Sequence, residues 1–269
     1  MNTEKSRLGD AENLRFRWCL ETGILDVATL DMCRNYLEKY LESRLGQFHG
    51  LNGVEIAGEF DERLNSIDRD RISLEDLTFM RGQFPLEVRL SQEVLTVARR
   101  IYHSNLLNGF GFGRANCFLH MPPMVRYVLP KGTGAGVPAH VDRDYNAHMR
   151  QFVTTWVPLV EIDSSCGGVR VFESTTAYRD SFEDSKAQPT TGAAADWHVG
   201  HSTHGLKSID CSPMSPGDVL LFGDSVLHES MSNTSLGCRL SIDLRWFMNR
   251  TDTLKTGYDF STEALFSNA

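Results

Sequence analysis

The sequence predicts a mainly β protein with helices in its N-terminal portion, and two observations carry this prediction. Up to about residue 110, apolar residues recur at spacings of three and four, as in amphipathic helices. From about residue 113, short apolar runs rich in β-branched and aromatic residues alternate with Gly, Pro, Asp and Ser. Many short strands of this kind form a sandwich or a barrel. Since no convincing linker separates the halves, we predict one domain over residues 1–269, with helices at about 1–110 against a β core at about 113–250.

Two long helices are predicted in the N-terminal portion. In residues 27–45, VATLDMCRNYLEKYLESRL, the apolar side chains follow one helix face. A second helix is expected over roughly 91–107, where Ser91 is a plausible N-cap. A shorter helix is expected at 74–82.

The β core is predicted from six short apolar runs. They are CFLHM, MVRYVL, FVTTWVPLV, GVRVFES, DVLLFGD and CRLSIDLRWF. The segment 179–212 is long and polar, with SKAQPTTGAAAD at its centre, so we interpret it as an inserted loop or lid.

Composition and charge argue against several classes of protein. The chain is 41% hydrophobic and 23% charged, which is typical of a globular rather than a disordered protein. Its net charge of −8 gives no indication of a nucleic-acid partner. No apolar run approaches the ~18 residues of a membrane helix. The polar N-terminus and six cysteines without a CxxC pair lead us to expect free thiols and a cytoplasmic protein without a membrane partner.

The segment VPAHVDRDYN contains the first candidate metal ligands. If residues 137–142 are extended, side chains two apart share a face, so His140 and Asp142 project together. A third ligand, His228, follows an apolar strand in GDVLLFGDSVLHESMSN. Two histidines and one carboxylate on one side of a metal leave three positions open, as in non-haem iron(II) oxygenases. A closed four-ligand zinc site has no such open positions.

Arg239 and Ser241, in CRLSIDLRWF, share one face if this segment is the neighbouring strand. A guanidinium is a planar fork that matches a carboxylate. The pair is therefore predicted to hold the far carboxylate of 2-oxoglutarate while the keto-acid end chelates iron. Arg245 is the alternative partner, and Arg239 is favoured because its spacing from His228 fits.

HVD, then GDVLLF…LHESMSN, then RLS resemble the phytanoyl-CoA dioxygenase family of 2-oxoglutarate oxygenases. The strand–turn–strand segment TTWVPLVEIDSSCGGVRVFESTTAY is similar too, although the family's usual Gly-Ser-His ending is missing here. The resemblance covers roughly residues 115–247. HxD alone is unspecific, whereas the three elements in this order are specific.

The resemblance implies a double-stranded β-helix core of the jelly-roll, cupin-like type. It implies that His140, Asp142 and His228 bind iron(II), that Arg239 and Ser241 bind 2-oxoglutarate, and that dioxygen is the second cosubstrate.

The same resemblance implies two further cofactor contacts. Trp156 falls near the position where family members place an aromatic side chain against 2-oxoglutarate. Arg126, on the strand before HVD, is a candidate for binding the cosubstrate or the substrate. Related halogenases carry a small residue where this chain has Asp142, so hydroxylation or another oxidation is expected rather than halogenation.

The expected reaction oxidises an unactivated C–H of a small metabolite, of secondary or amino-acid metabolism, and releases succinate and carbon dioxide. The sequence leaves open which compound is oxidised, the oligomeric state, and whether the outcome is hydroxylation, desaturation, cyclisation or epimerisation.

Two rival functions and one rival metal site also stay open. A non-oxidative cupin-like metalloenzyme would use the same three ligands without Arg239, and a catalytically silent homologue would bind a ligand without consuming oxygen. His198, His201 and His204, in WHVGHSTH, suggest zinc, but no adjacent Cys or carboxylate pattern supports it. Substrate contact or a solvated loop is the favoured interpretation.

Overall fold

The structure, a computed structural model, describes residues 14–45, 78–79, 81–130, 137–173 and 201–268. Its strands pair antiparallel in two sheets. The strands are β1 Trp18–Glu21, β2 Phe118–His120, β3 Met124–Val128, β4 Phe152–Pro158, β5 Val169–Phe172, β6 Ser208–Asp210, β7 Val219–Gly223, β8 His228–Ser230, β9 Arg239–Phe247, β10 Thr256–Asp259 and β11 Ala264–Ser267. The larger sheet has the order β1-β7-β4-β9-β2-β10-β11, with β3 also paired to β9, and the smaller sheet has the order β6-β5-β8.

Four α-helices accompany the sheets in the described part of the chain. They are α1 Val27–Leu45, α2 Leu86–Arg89, α3 Gln92–His103 and α4 Asp142–Tyr145. The two long predicted helices are thus confirmed as α1 and α3, and Ser91 caps α3 by accepting a hydrogen bond from the Val94 backbone N–H at 3.3 Å. The helix predicted at 74–82 lies largely outside the described residues, although Thr78 and Phe79 are helical.

Strand β9 is the centre of the larger sheet, because it pairs with β2, β3 and β4. Its even-numbered side chains are almost completely buried and share one apolar cluster with α1 and α3. These are Leu240, Ile242, Leu244 and Trp246. Full burial of such a side chain contributes roughly 1.5–3 kcal/mol. The packing of one face therefore fixes the register of β9 and directs its odd-numbered residues to the opposite face.

The β structure extends beyond the predicted core. β1 lies in the portion predicted to be helical and pairs with β7, while β10 and β11 follow residue 250. β6 lies within the predicted loop and pairs with β5. These strands are only three or four residues long, and SID and TGYD carry no apolar alternation, so the sequence gives no period-two signal for them.

A cavity lies between the two sheets, lined by residues of β3, β4, β7 and β9 from the larger sheet and of β5 and β8 from the smaller one. This arrangement of facing antiparallel sheets confirms the predicted fold class, a mainly β protein with a jelly-roll core.

Two sequence-based expectations concern the membrane and the thiols. No helix in the described ranges is long and apolar enough to cross a membrane. All six cysteines are thiols outside any disulfide, and five of them are buried. Burial raises the pKa of Cys33 to about 12, so this thiol stays protonated at neutral pH.

Candidate metal centre

The two predicted histidine ligands are brought together by backbone pairing. The His140 N–H donates to the His228 carbonyl oxygen at 2.9 Å, and the His228 N–H donates to the His140 carbonyl oxygen at 2.9 Å. Residues opposite each other in such a bridge place their side chains on the same face. The ring centroids accordingly lie 4.2 Å apart, and the bridge explains how two residues distant in sequence meet at one point.

Both imidazoles direct the same nitrogen into the site. Nδ1 of His140 lies 2.7 Å from the Pro138 carbonyl oxygen, and Nδ1 of His228 lies 2.9 Å from the Val226 carbonyl oxygen. Since a carbonyl oxygen only accepts hydrogen bonds, each Nδ1 carries the proton and each Nε2 keeps its lone pair. This is the tautomer that a metal ligand needs, and the carbonyl contact also fixes the ring orientation.

Asp142 reaches the site from a helix rather than from a strand. The sequence-based expectation that residues 137–142 are extended is wrong at this end, because Asp142 is the first residue of α4. The turn is held by two bonds: the Arg143 N–H donates to the Asp224 carbonyl oxygen at 3.0 Å, and Asn146 Nδ2 donates to the Asp142 carbonyl oxygen at 2.7 Å. The carboxylate nevertheless lies beside His140, with 3.9 Å between Oδ1 and Nε2.

The Asp142 carboxylate is held by two side chains, one fully buried and one 10% exposed. Thr154 Oγ1 donates to Oδ2 at 2.5 Å, and Arg245 Nη2 donates to Oδ1 at 3.1 Å. Thr154 lies on β4 and Arg245 on β9, where the two are register partners. The sheet that carries the core thus also orients the carboxylate.

The electrostatics of the site favour the protonation states that bind a cation. Burial lowers the pKa of His140 to about 3, and the neighbouring His228 adds to this effect. Burial opposes ionisation of Asp142, but Arg245 and the two histidines outweigh it and hold the pKa of this carboxyl below its ordinary value. At neutral pH, His140 is therefore neutral and Asp142 is ionised, as metal binding requires.

The three ligand residues fit an iron(II) site. One ligand atom from each of His140, Asp142 and His228 lies within 4.8 Å of the others, and no other such group occurs in the described segments. Neutral imidazole nitrogens and a carboxylate form the donor set of non-haem iron oxygenases, in which three protein ligands leave room for a cosubstrate.

Arg239 is a buried cation without a carboxylate partner. Its side chain is held by backbone carbonyls, because Nη1 donates to the carbonyl oxygens of Gly167 and Met231, both at 2.8 Å, and Nη2 donates to Ser230 Oγ. No carboxylate of the described chain forms an ion pair with it, and burial lowers the pKa of this guanidinium. A buried charge is costly unless it is paired. The arrangement therefore fits an anionic ligand entering the cavity.

All seven predicted site residues line the same cavity: Arg126, His140, Asp142, Trp156, His228, Arg239 and Ser241. Ser241 faces Arg126 across the β3–β9 register and Pro158 across the β4–β9 register. Arg126 Nε lies 3.5 Å from Asp243 Oδ2. Trp156 is 6% exposed and also packs in an apolar cluster with Leu220, so it belongs to both the cavity wall and the core.

Several residues of the site were not predicted from the sequence, and the polar ones among them matter most. Thr154 and Asp243 line the cavity, and Arg245, which the sequence offered as a rival of Arg239, is engaged by Asp142. The alternation on β9 was the available signal, because Asp243 and Arg245 continue the face that begins at Arg239. Thr154 is likewise two residues from Trp156 on β4.

The three-histidine stretch does not form a metal site in the described part of the chain. His201 Nε2 lies 2.6 Å from Asp144 Oδ2, and the His201 N–H donates to the Ala139 carbonyl oxygen at 2.8 Å. His204 is exposed, and His198 lies outside the described residues. Through these two contacts, His201 packs against the segment that contains His140 and Asp142.

Comparison with known proteins places this geometry in a family. The model of the family "Phytanoyl-CoA dioxygenase (PhyH)" matches residues 82–241. The 1-deoxypentalenic acid 11-beta-hydroxylase of Streptomyces exfoliatus is 28% identical over 146 residues, which cover 48% of each chain. The enzyme of that name from Streptomyces arenae is 30% identical over 121 residues, which cover 40% of each chain. The chain thus spans about half the length, or less, of the curated relatives it matches.

Solved structures show the same fold at lower sequence identity. The non-haem alpha-ketoglutarate-dependent carbocyclase SnoK from nogalamycin biosynthesis is 13% identical, with a TM-score of 0.55 over 86% of this chain and 79% of that one. The epimerase SnoN, in complex with Fe3+, alpha-ketoglutarate and nogalamycin RO, is 16% identical, with a TM-score of 0.51 over 88% and 80%. The family match covers more than half of the chain, and the resemblance seen in the sequence is confirmed: this protein belongs to the phytanoyl-CoA dioxygenase (PhyH) family.

Proposed function

We propose that this protein is an iron(II)- and 2-oxoglutarate-dependent oxygenase that hydroxylates, or otherwise oxidises, an unactivated C–H of a small-molecule metabolite. The observation that carries the proposal is one cavity that holds both the triad of His140, Asp142 and His228 and the unpaired guanidinium of Arg239. A metal site alone fits many reactions. A metal site facing a buried cation without a counter-charge fits a cosubstrate that chelates the metal and ends in a carboxylate.

The triad would hold iron(II), which when bound supplies the oxidation of a C–H with dioxygen and 2-oxoglutarate, releasing succinate and carbon dioxide. The protein's own contribution is orientation. The carbonyl oxygens of Pro138 and Val226 fix the two imidazoles, and Thr154 and Arg245 fix the carboxylate. Ligands held in this way need no reorganisation when the metal binds.

The far carboxylate of 2-oxoglutarate is assigned to Arg239 and the Ser241 hydroxyl. The bonds from Arg239 to Gly167, Met231 and Ser230 hold the guanidinium in place before the anion arrives. Pre-organised donors in a water-poor cavity bind an anion more strongly than donors in solvent do. The apolar side chains of Trp156, Phe222 and Val169 complete the wall and keep water from the reacting carbon.

The substrate is proposed to be a small molecule of secondary metabolism. The two curated relatives are by name hydroxylases of 1-deoxypentalenic acid, and SnoK and SnoN come from nogalamycin biosynthesis. Because position 142 is occupied by a carboxylate that Thr154 and Arg245 hold, we assign oxidation rather than halogenation. We place the enzyme in the cytoplasm, which is supported by its six cysteines standing outside any disulfide.

The test is an anaerobic titration of the iron(II) protein with 2-oxoglutarate, followed by visible absorption, and then a screen of small molecules for succinate release. We expect a saturable absorption change in the wild type and no substrate-dependent succinate from His228→Ala or Asp142→Ala. Arg114→Gln, at an exposed position, is the control and is expected to behave as wild type. A non-oxidative metalloenzyme would bind iron with no spectral response to 2-oxoglutarate, and that result would overturn the proposal. Full succinate formation in either triad variant would do the same.

A further inference from the structure

A second group of polar side chains lies next to the metal centre, on the far side of Arg245. We call it the basic corner, and it consists of Arg89, His120, His148 and Lys255. His120 is the last residue of β2. Because Leu119 is paired with Trp246 of the neighbouring strand β9, Arg245 occupies the next position along the β2–β9 register, opposite His120. Burial, with Arg245, His148, Lys255 and Arg89 adding to it, lowers the pKa of His120 to about 3. These groups are therefore close enough to act on one another.

The two histidines of the basic corner contact each other and leave one nitrogen without a partner. Their Nε2 atoms are 3.3 Å apart, and their ring centroids are 5.0 Å apart. His120 is 7% exposed, and its Nδ1 atom is buried without a hydrogen-bond partner. If His148 donates to Nε2 of His120, the proton of His120 is on Nδ1 and forms an unused donor. Such a buried donor is destabilising unless a ligand accepts its hydrogen bond.

The cations of the basic corner have no carboxylate in ion-pair contact among the described residues, although Asp243 acts on Arg89 from further away. Arg89 donates through Nε to the Pro123 carbonyl oxygen at 2.6 Å and through Nη2 to the Pro122 carbonyl oxygen at 3.4 Å. Neither Arg89 nor Lys255 forms an ion pair with any carboxylate of the described chain. Burial lowers the pKa of Arg89 to about 10, and nearby Arg245 and Arg126 add to this effect, as expected where positive charges are crowded.

Two carboxylates, Asp142 and Asp243, lie beside Arg245, and each has one oxygen in contact with a guanidinium, while Oδ1 of Asp243 is buried without a partner. Asp142 is bound by Arg245, and Asp243 lies 3.5 Å from Arg126. Arg245 also has a buried Nε atom without a partner. Two neutral imidazoles, two cations without a carboxylate in ion-pair contact and a spare guanidinium N–H thus leave hydrogen-bond donors that no described carboxylate accepts.

A metal ion between His120 and His148 does not suit this environment. A separation of 3.3 Å would suit two nitrogens on one ion. However, Arg89 and Lys255 would repel it, and no carboxylate completes the ligand set among the described residues. An anion satisfies the same donors and also neutralises the cations.

We propose that the substrate of this oxygenase carries a carboxylate group, and that this group binds in the basic corner while the carbon to be oxidised lies at the metal. The inference rests on the proposed function, because it names the substrate class of the same metal site. Arg245 connects the two places: its Nη2 donates to the metal ligand Asp142, and its Nε is free for the substrate. A neutral acceptor would pair the free N–H groups of His120 and Arg245 but would not balance the positive charges of Arg89 and Lys255.

The binding test uses acetate, with acetamide as a neutral molecule of the same shape. The protein is loaded with 2-oxoglutarate and with zinc(II) in place of iron(II), so the metal and Arg239 are occupied and the sample is diamagnetic. Ring resonances of His120 and His148 are followed by NMR and assigned with His148→Gln. We expect acetate to shift both resonances saturably, more weakly at higher ionic strength, and acetamide to leave them unchanged.

Matched variants locate the bound anion. Arg89→Gln is expected to weaken acetate binding roughly tenfold or more, and Lys255→Gln, at an exposed position, about threefold. Lys39→Gln, exposed on α1, is the control and is expected to have no effect. If Arg89→Gln does not fold, the acetate affinity of Lys255→Gln still tests whether the anion binds in the basic corner.

Two results would overturn the inference: no saturable shift with acetate, or an equal response to acetamide. Unchanged acetate affinity in Lys255→Gln would also refute the assigned location. None of these results concerns 2-oxoglutarate, so a failure of the proposed function, seen as no response of the iron(II) protein to that cosubstrate, is distinguishable.

Discussion

Replacing Thr154 by Val tests whether the hydrogen bond to Asp142 holds the metal ligand. Thr154 is 1% exposed, and its hydroxyl donates to Asp142 Oδ2 at 2.5 Å. Valine has nearly the same shape, so Thr154→Val removes the donor without opening a cavity. A hydrogen bond to a charged group contributes roughly 1.5–3 kcal/mol. If the carboxylate needs this bond to keep its orientation, iron(II) affinity is expected to fall about 10- to 100-fold.

The neighbouring Thr155 provides a matched control, because it is equally buried and points to the other face of β4. Its Oγ1 accepts a hydrogen bond from Trp246 Nε1 at 3.0 Å, in the apolar core. Thr155→Val is expected to lower the free energy of unfolding by about 1–3 kcal/mol and leave metal affinity unchanged.

The assay measures iron(II) affinity by anaerobic competition with a chelator, together with urea unfolding of the metal-free proteins. The reasoning is refuted if Thr154→Val binds iron(II) as tightly as Thr155→Val does. A loss of affinity in both variants would mean that the substitution acts through the strand and not through Asp142.

Two further predictions concern Arg239 and His120. Arg239→Gln is expected to weaken 2-oxoglutarate binding about 10- to 100-fold with iron(II) affinity unchanged, as measured in the anaerobic titration, and equal affinity would exclude Arg239 as the clamp. The folded-state pKa of His120, about 3, lies below the ordinary 6.5. As pH falls below 6.5 the unfolded chain therefore takes up the proton first, and stability is lost between pH 6.5 and 3. At pH 5 the loss from this group is about 2 kcal/mol, so urea unfolding at pH 7.5 and pH 5 is expected to show a smaller difference for His120→Gln than for wild type.

The elements that the sequence predicted well are those with a strong internal pattern. The stripe in α1, the Ser91 cap of α3 and the apolar run of β9 each signal their structure locally, and each is confirmed. The metal ligands were predicted from a motif rather than from periodicity. Their convergence depends on the bridge between His140 and His228, which local sequence does not reveal.

The parts that the sequence did not predict depend on tertiary contacts. Asp142 begins a one-turn helix where the Arg143 N–H donates to the Asp224 carbonyl oxygen, a contact that exists only in the folded chain, while the bond from Asn146 is local. β1 is a strand because β7 presents an edge to it, although WCLE alone is compatible with other structures. Alternation with Trp156 could have placed Thr154 on the cavity face, but its hydrogen bond to Asp142 could not be predicted, because it depends on the position of Asp142.

Strand β9 contributes to both the core and the site, because its even-numbered side chains pack in the apolar cluster and its odd-numbered side chains up to Arg245 line the cavity. Its odd-numbered residues run from Arg239, assigned to the cosubstrate, through Ser241 and Asp243 to Arg245, which braces Asp142 and borders the basic corner. At about 3.3 Å per residue, the backbone of this row spans roughly 20 Å. A slip of one residue would bury these charges in the apolar cluster, so the packing of the even-numbered face fixes the site. On this arrangement, the cosubstrate and the substrate carboxylate are bound at opposite ends of one strand, with the metal between them.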